Sequence, residues 1–483
     1  MVVGMSKRKG QMSRRRFLRQ ATLGATACAV GTLTGCRTAP SVSRHRPPNI
    51  VFFLVDDLGY GDLGFLGQER FATPHLDRMA RESLHFTQFY CGSPLCAPSR
   101  YTLLTGQHTG HAYIRSNSER QPEGQLPLPK NSLSLPLRMR QLGYQTGCVG
   151  KWGFGMPETT GAPDRQGFSH FFGYYCHRAA HRHYPESLWR NRTPVALPGN
   201  HGNGRGDYAP TVIAEEAHRF IRQHRDSPFF LYWANTLPHA DLDAPESLLR
   251  EFRGRYPEIP FPGNHYREQP TPRAAYAAMV TAIDQQVGAL LAMLQDLGIA
   301  ENTLVLFATD NGPAAEGGAD PEFFRSSGPY RGVKRSLYEG GIRTPLLAWQ
   351  PGVISPGESS HIGAFWDFPA TCLELLGEPP MQGNGVSFAP TLRGEPDHQE
   401  AHNTLYWEIP EHLGQQAMRM GEWKAVRRRV MENAASLPEL YHLPSDPGET
   451  TNYASEMPHI AEYLGHLLWT DRTESTLFPL LPG

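Results

Sequence analysis

The chain has 483 residues, of which 39% are hydrophobic and 19% are charged. This composition is ordinary for a soluble globular protein and excludes a disordered chain or a protein with many membrane spans. The 46 Lys and Arg residues nearly balance the 47 Asp and Glu residues. Domains that bind nucleic acid are usually strongly basic, so we expect no nucleic-acid partner. The length predicts one large domain with a smaller one.

The first 36 residues differ from the rest in charge, since residues 1–35 hold seven basic side chains and no acidic one. Arginines at positions 14–16 precede Phe-Leu, and a short, modestly apolar run follows at 21–33. This order is typical of a signal peptide, and the paired arginines match a bacterial twin-arginine signal. The run is too short to span a bilayer.

The apolar run ends in Leu-Thr-Gly-Cys, which resembles a lipobox and makes Cys36 a candidate for lipidation. We therefore expect residues 1–36 to be a twin-arginine or lipoprotein signal and residues 37–48 to be a linker. The twin-arginine machinery would export the folded chain to the periplasm or the cell surface of a bacterium, where a lipid would anchor it to a membrane. A disordered basic tail is the alternative.

Apolar runs predict the strands and helices that follow. Continuous runs at 49–55, 229–233 and 303–309, with weaker ones at 143–149 and 345–349, predict buried parallel strands. Apolar side chains at helical spacing predict helices over 76–84 and 274–297. Alternation of strands and helices predicts an α/β catalytic domain over residues 49–399, with a central, mostly parallel mixed sheet flanked by helices.

Shorter pieces follow a Gly- and Pro-rich stretch at 377–390. Strand-like segments at 404–407, 423–426 and 440–442 precede a helical pattern at 459–469. They predict a small C-terminal α+β subdomain over residues 400–483 with a short antiparallel sheet.

Two polar pairs follow the strongest strand predictions. Asp56 and Asp57 come directly after the run at 49–55, and Asp310 and Asn311 come after the run at 303–309. Ligands of α/β sheets collect at the carboxyl ends of strands. The pairs supply only oxygen ligands, which suit Ca²⁺ or Mg²⁺ rather than zinc. For either pair alone, a solvated turn is the alternative.

Seven cysteines are present, and Cys28 and Cys36 belong to the predicted signal. The other five are Cys91, Cys96, Cys148, Cys176 and Cys372. Their odd number and the lack of C-x-x-C spacing make a zinc site unexpected, and one disulfide of unassigned pairing is allowed. Cys96 precedes a predicted helix, whose N-terminus would activate a thiol nucleophile. The alternative is a small, buried apolar side chain.

The segment Cys96-Ala97-Pro98-Ser99-Arg100, continued by a Leu-Thr-Gly stretch, resembles type I sulfatases of the alkaline phosphatase-like superfamily. Further segments resemble the family in its order; they lie at 49–61, 150–152, 238–239, 310–312, 332–345 and 440–449. Each segment alone is weak evidence for the family, but the presence of all of them in the family's order is specific.

The resemblance implies an enzyme that hydrolyses sulfuric esters. A formylglycine-generating enzyme would oxidise the cysteine to formylglycine, an aldehyde whose hydrate attacks sulfur. One Ca²⁺ would bind the residues implied as metal ligands, which are Asp56, Asp57, the modified Cys96, Asp310 and Asn311. The other implied active-site residues are Lys151 and Lys334 as sulfate contacts, His239 as general acid, and Arg100 as the partner of the modified residue.

The chain departs from the family at one position. Many members have Gly-Lys-Trp-His, whereas here Gly153 follows Gly-Lys-Trp. The absent His is the usual base of the second chemical step. We hypothesise that His108 or His111, which lie shortly after the nucleophile in the sequence, replaces it. The alternative is that both are structural.

The substrate is the least determined feature. The segment at 171–184 is dense in aromatic, His and Arg residues, which suits either stacking on a sugar ring or core packing. A carbohydrate sulfatase acting on galactose or N-acetylgalactosamine sulfates is the prediction, and an aryl sulfate is the alternative substrate. Two rival functions are a phosphonate or phosphate ester hydrolase of the same superfamily and a catalytically silent lipoprotein that binds glycans.

Overall fold

The computed structural model describes residues 46–120, 124–130, 132 and 135–481. The predicted signal, with Cys28 and Cys36, and most of the predicted linker lie outside the described residues. From Arg46 onward the chain forms one compact unit.

A ten-stranded sheet forms the centre of this unit. Its strands in chain order are β1 (Asn49–Val55), β2 (Leu84–Tyr90), β3 (Gln145–Lys151), β4 (His170–Tyr174), β5 (Ser187–Arg190), β6 (Thr193–Ala196), β7 (Phe229–Ala234), β8 (Thr303–Thr309), β9 (Leu346–Trp349) and β10 (Gly357–Ala364). The spatial order is β10-β2-β9-β8-β1-β7-β3-β4-β5-β6. The five strands from β8 to β4 are parallel to one another. The predicted mostly parallel mixed sheet is therefore confirmed.

Helices cover both faces of this sheet. They are α1 (Pro74–Arg81), α2 (Cys96–Thr105), α3 (Leu135–Gln141), α4 (Ala209–His224), α5 (Glu246–Phe252), α6 (Pro272–Asp296), α7 (Pro321–Phe324), α8 (Glu339–Ile342), α9 (Phe368–Leu375) and α10 (Ala389–Arg393). Alternate side chains of β1 enter opposite cores, because successive residues of a strand point to opposite faces. Phe52 belongs to the hydrophobic core that includes residues of α2, α3 and α9, whereas Phe53 belongs to the core that includes residues of α4 and α6.

Helix α6 is long and apolar enough to cross a membrane. Of its most apolar window, however, 72% is buried inside the protein, which is typical of a core helix. The predicted helix over 274–297 is thus confirmed as a central packing element. The helix predicted over 76–84 ends at Arg81, and Leu84 instead begins β2.

The C-terminal region contains the predicted antiparallel sheet, with four strands and one helix. Its elements are β11 (Leu405–Ile409), β12 (Gln415–Met420), β13 (Trp423–Arg428), β14 (Glu439–His442) and α11 (Pro458–Thr470). Side chains of α11 share a separate hydrophobic cluster with this sheet.

A buried ion cluster joins the two sheets. Lys424 Nζ of β13 lies 2.8 Å from Glu339 Oε1 and 2.9 Å from Glu449 Oε1. Arg343 contacts the other oxygen of Glu339 at 2.7 Å. Lys424 and Glu339 are fully buried, so each charge depends on its partners for compensation.

Candidate active site

The central parallel strands bring the predicted functional residues to one edge of the sheet. Asp56 and Asp57 follow β1, Asp310 follows β8, and Lys151 is the last residue of β3. Cys96 is the first residue of α2, which begins near this edge. The carboxyl ends of parallel strands share an edge, which explains why residues far apart in sequence meet here.

A cluster of buried oxygen atoms lies beside Cys96. Asn311 Nδ2 donates a hydrogen bond to Asp57 Oδ1 at 2.6 Å, and the Asp57 N–H donates to Asp310 Oδ1 at 3.2 Å. Cys96 Sγ lies 3.9 Å from Asp57 Oδ1. Asp56 Oδ1 and Asn311 Oδ1 are buried and accept no hydrogen bond among the described residues.

These oxygens fit a hard divalent cation. Burial, with the charge of Asp56 nearby, raises the pKa of Asp310 to about 7. Burial also raises the pKa of Asp57, although Lys334 opposes this effect. The crowded carboxylates therefore need positive charge to stay ionised, and two buried oxygens lack a hydrogen-bond donor. Oxygen-only ligation of this kind suits Ca²⁺ or Mg²⁺.

Arg100 supplies part of that positive charge from inside α2. Its Nε donates to Asp310 Oδ2 at 2.8 Å, and its Nη2 lies 3.3 Å from Asp56 Oδ1. The Arg100 side chain is fully buried. The pKa of Arg100 lies well above its usual value, because the two carboxylates outweigh the effect of burial.

Two buried lysines face the same cluster. Lys151 Nζ donates to Asp56 Oδ2 at 2.7 Å, and Lys334 Nζ donates to Asp57 Oδ2 at 2.8 Å. Paired carboxylates keep the pKa of both lysines raised despite burial, so both remain cationic. Two fixed ammonium groups beside an oxygen cluster form a site for a small dianionic or monoanionic group.

His239 contacts one of these lysines. Its Nε2 lies 3.2 Å from Lys334 Nζ, and its Nδ1 lies 2.5 Å from the Ala240 carbonyl. This geometry fits a neutral ring that donates from Nδ1 and accepts from the lysine at Nε2. Burial and the positive charge of Lys334 hold the pKa of His239 well below its usual value, which agrees with that tautomer.

The Cys96 thiol is not activated by its place at a helix N-terminus. Burial raises its pKa well above the usual value, even though Lys151 and Lys334 lower it. Since the thiolate is the nucleophilic form, an unmodified Cys96 is a poor nucleophile. The helix-terminus argument from the sequence therefore underestimated desolvation.

A cavity of about 470 Å³ opens above these groups. Cys96, Lys151, His239 and Lys334 lie at its base. Its wall includes residues that the sequence analysis did not mark, among them Asn117, Tyr266, Glu316 and Glu411. Glu316 accepts from Tyr266 Oη at 2.9 Å and lies 3.5 Å from Lys334 Nζ. These residues come from separate loops, and no local pattern distinguishes them from solvated turns.

The aromatic segment at 171–184 divides between core and cavity. Phe171, Phe172, Tyr174 and Tyr175 are buried in the two large cores. By contrast, His177 and His181 reach the cavity wall. The His181 ring stacks on the His239 ring, with 4.5 Å between centroids.

His108 and His111 lie outside the described wall of this cavity. His108 Nδ1 accepts from the Gly110 N–H at 3.1 Å, and its Nε2 lies 4.0 Å from Asp471 Oδ1. His111 Nδ1 is paired with the side chain of Asn384. Burial lowers the pKa of His108 to about 3. Both rings contact C-terminal segments, and their hypothesised role as a base stays a prediction.

All five cysteines of the described residues are free and buried; they are Cys91, Cys96, Cys148, Cys176 and Cys372. Of these, only Cys96 lines the cavity.

Comparison with known proteins identifies the family. The family model described as Sulfatase matches residues 48–378. The chain belongs to the sulfatase family. This sulfatase is 35% identical to N-acetylgalactosamine-6-sulfatase of Rattus norvegicus over 84% of this chain and 81% of that protein. It is 32% identical to human arylsulfatase A over 89% of this chain and 88% of that protein.

A solved structure supports the fold of this sulfatase. The crystal structure of Ps i-CgsB in complex with k-i-k-neocarrahexaose matches with a TM-score of 0.73 and 24% identity, over 89% of this chain and 94% of that chain. The family resemblance and the fold predicted from the sequence are confirmed. The protein is accordingly a sulfuric ester hydrolase.

Proposed function

We propose that this sulfatase hydrolyses sulfate monoesters of carbohydrates through a formylglycine made from Cys96, with one calcium ion bound beside it. The observation that carries the proposal is the base of the cavity. There Cys96 lies among buried carboxylates, and two buried lysines border the same space. A sulfate monoester is anionic, and it needs the fixed positive charge that this arrangement offers.

The state of the Cys96 thiol supports the modification. Burial raises the pKa of the unmodified thiol, which disfavours the thiolate that would act as the nucleophile. A hydrated formylglycine supplies two hydroxyl groups on one carbon, one to attack sulfur and one whose deprotonation later expels sulfate. Export in the folded state allows a formylglycine-generating enzyme to act before the chain leaves the cytoplasm.

Asp56, Asp57, Asp310 and Asn311 would hold the calcium ion together with the modified residue 96. Bound there, the ion would supply Lewis acidity and charge for the sulfate oxygens. Within the described part of the chain, Asn311 Oδ1 accepts no hydrogen bond, and Asp56 Oδ1 has the ion pair with Arg100 at 3.3 Å but no hydrogen bond; both oxygens support this assignment. Arg100 would keep the ligand carboxylates in place through its contacts with Asp310 and Asp56.

Lys151 and Lys334 would bind the sulfate, and the pair of Lys334 and His239 would supply one proton. Lys151 and Lys334 would bind the sulfate oxygens as point charges. As the ester S–O bond breaks, its electron pair passes to the alcohol oxygen, which needs a proton. The hydrogen bond between Lys334 Nζ and His239 Nε2 holds a proton at this place. We assign the general acid to this pair: the Lys334 ammonium would give a proton to the alcohol oxygen and regain one from water, and His239, which accepts a hydrogen bond from that ammonium at Nε2, would hold it in place.

The names of the relatives support a sugar substrate. The similar rat protein is an N-acetylgalactosamine-6-sulfatase. The cavity volume of about 470 Å³ is within the usual range for small-molecule sites, roughly 300–1,000 Å³. Its wall carries carboxylates such as Glu316 and Glu411, which suit hydrogen bonds to sugar hydroxyls. We therefore propose galactose or N-acetylgalactosamine sulfates, with an aryl sulfate as the alternative.

The decisive experiment combines a mass measurement with a substrate panel. The peptide that contains residue 96 is expected to carry an aldehyde or its hydrate in protein from a bacterial host with a formylglycine-generating enzyme. Sulfate release is then measured from galactose and N-acetylgalactosamine sulfates, an aryl sulfate, and matched phosphate and phosphonate esters. Cys96→Ala should abolish turnover, and the buried Cys372→Ala should keep it. Faster hydrolysis of the phosphorus esters would favour the rival hydrolase.

We also propose that the protein is exported through its twin-arginine signal and anchored at Cys36. Fractionation of cells that express the full chain tests both points. Replacing Arg14 and Arg15 by Lys should retain the protein in the cytoplasm. Cys36→Ala should move the exported protein from the membrane to the soluble fraction. Unchanged fractionation of either variant would refute the corresponding half of this proposal.

A further inference from the structure

The side chain of His177 occupies the space beside Gly153, where the family motif has a histidine. An ideal Cβ at Gly153 would lie 1.8 Å from His177 Nε2 and 2.2 Å from its Cδ2. Real Cβ atoms do not approach other heavy atoms this closely. A side chain at position 153 and the present ring of His177 are therefore mutually exclusive.

Backbone pairing brings these two residues together. The N–H of Trp152 donates to the Tyr174 carbonyl at 3.0 Å, and the N–H of Gly153 donates to the Tyr175 carbonyl at 3.1 Å. These bonds continue the parallel pairing of β3 and β4 beyond the strand ends. The chain after Tyr175 consequently lies next to Gly153, and the side chain of His177 fills the space beside this glycine.

The ring of His177 lies in the wall of the active-site cavity, with its Nε2 packed against Gly153. Its side chain lines the same cavity as Cys96 and Lys151. The residue is 4% exposed, and Nε2 is buried without a hydrogen bond to any described residue. A buried polar atom without a partner costs free energy, and in the wall of a cavity a ligand or a reacting group can offset that cost.

We propose that His177 is the base that replaces the absent histidine in the second half of the reaction, an inference that rests on the proposed function. Its Nε2 would take the proton of the second hydroxyl group on residue 96. The carbonyl bond of the aldehyde then re-forms, and the carbon–oxygen bond to sulfate breaks with its electron pair on sulfate. The proton passes from His177 to water, and water hydrates the aldehyde again.

Other histidines near the site are less suited to this step. His239 Nε2 already accepts from Lys334, and that pair is assigned to the leaving group. His108 and His111 lie outside the described wall of the cavity.

The test separates the two halves of the reaction with a chromogenic aryl sulfate. In His177→Ala, the first equivalent of phenol should appear in a burst, and turnover should then fall by roughly 10²- to 10⁴-fold. The peptide that contains residue 96 should accumulate a sulfate adduct, seen by mass spectrometry after rapid quenching. In His177→Gly, added imidazole should restore turnover and remove the adduct.

His218→Ala is the matched control, because its Nε2 is also buried and unpartnered but its ring lies on α4 against Trp233. This variant should show no burst and no adduct. His177→Asn serves as a second variant that keeps a polar side chain, and it should behave like His177→Ala. Thermal unfolding of each variant confirms that it is folded.

The outcomes distinguish this inference from the proposed function. Slow turnover without a burst or adduct, or turnover at the wild-type rate, would overturn the role of His177 while formylglycine at residue 96 stands. An unmodified thiol in active wild-type protein would overturn the proposed function, and the role of His177 with it.

Discussion

Replacing Gly153 by Ala tests the close packing between this residue and His177. The new Cβ would lie 1.8 Å from His177 Nε2, and all three atoms nearest to it belong to that ring. Gly153 also has φ +83°, which L side chains rarely adopt. The left-handed conformation costs about 1–2 kcal/mol, and overpacking costs about 1–3 kcal/mol more. We predict that Gly153→Ala lowers the free energy of unfolding by about 2–5 kcal/mol.

A double-mutant cycle with His177→Ala isolates the steric part. Without the imidazole the nearest contacts vanish, and Gly153→Ala should then cost only the backbone strain of about 1–2 kcal/mol. The free energies come from guanidinium titrations followed by tryptophan fluorescence. The expected coupling between positions 153 and 177 is about 1–3 kcal/mol, within the usual range for residues in contact.

Gly143→Ala provides a matched control for the backbone strain. Gly143 has φ +86°, nearly the value of Gly153, and an ideal Cβ there has no atom within 4 Å. Its cost should be about 1–2 kcal/mol and should not depend on residue 177. If the effects of Gly153→Ala and His177→Ala instead add to within about 0.5 kcal/mol, the proposed exclusion between the two side chains is refuted.

Three further measurements address the metal, the joint between the sheets and a buried acid. Calcium at a hundredfold excess over its Kd should stabilise the protein by about 2.7 kcal/mol in thermal unfolding, and an equal gain in Asp310→Asn would contradict the assigned ligands. Lys424→Met leaves Glu449 buried without a cation and Glu339 with Arg343 alone, so the unfolding free energy should fall by about 3–5 kcal/mol; a loss below about 1 kcal/mol would argue against the buried ion cluster. Burial raises the pKa of Asp62 to about 6, although Ser326 and Tyr276 donate hydrogen bonds to it. The folded state therefore holds this proton more tightly than the unfolded state, and the resulting stability is full below about pH 4 and lost as the pH rises through about 6. Relative to Asp62→Asn, the free energy of unfolding of the wild type should increase by up to about 3 kcal/mol from pH 7 to pH 4, measured by denaturant titrations. If the unfolding free energies of the two proteins change in parallel with pH, this prediction is refuted.

The strands that carry the site could be predicted because their residues are buried on both faces. The uninterrupted apolar runs of β1, β7 and β8 identified them as central strands, and the polar residues directly after β1 and β8 identified the ligand edge. Helix α6 was equally clear, since its apolar side chains repeat at helical spacing. In each case the burial of a residue can be inferred from its immediate neighbours in the sequence.

Other elements could not be predicted, because their polar residues are satisfied by distant partners. Strand β12 contains Gln416 and Arg419, which are buried, so no apolar run marks it. Gln416 Nε2 donates to the Leu468 carbonyl of α11, and Arg419 Nη1 donates to Tyr90 Oη of β2. Such hydrogen bonds join segments that are far apart in the sequence, so the local sequence does not predict them.

The sequence by itself determined the family, the central strands, and the residues of the oxygen cluster with its lysines, because these follow from ordered motifs and local burial patterns. It also showed that Gly153 departs from the family, but not what fills the space. Only the tertiary structure brought His177 into contact with Gly153, which lies 24 residues earlier in the chain. It likewise placed Glu316 beside Lys334. The physical reason is that these contacts join residues from separate loops, whose relative positions are set by the packing of the sheet beneath them.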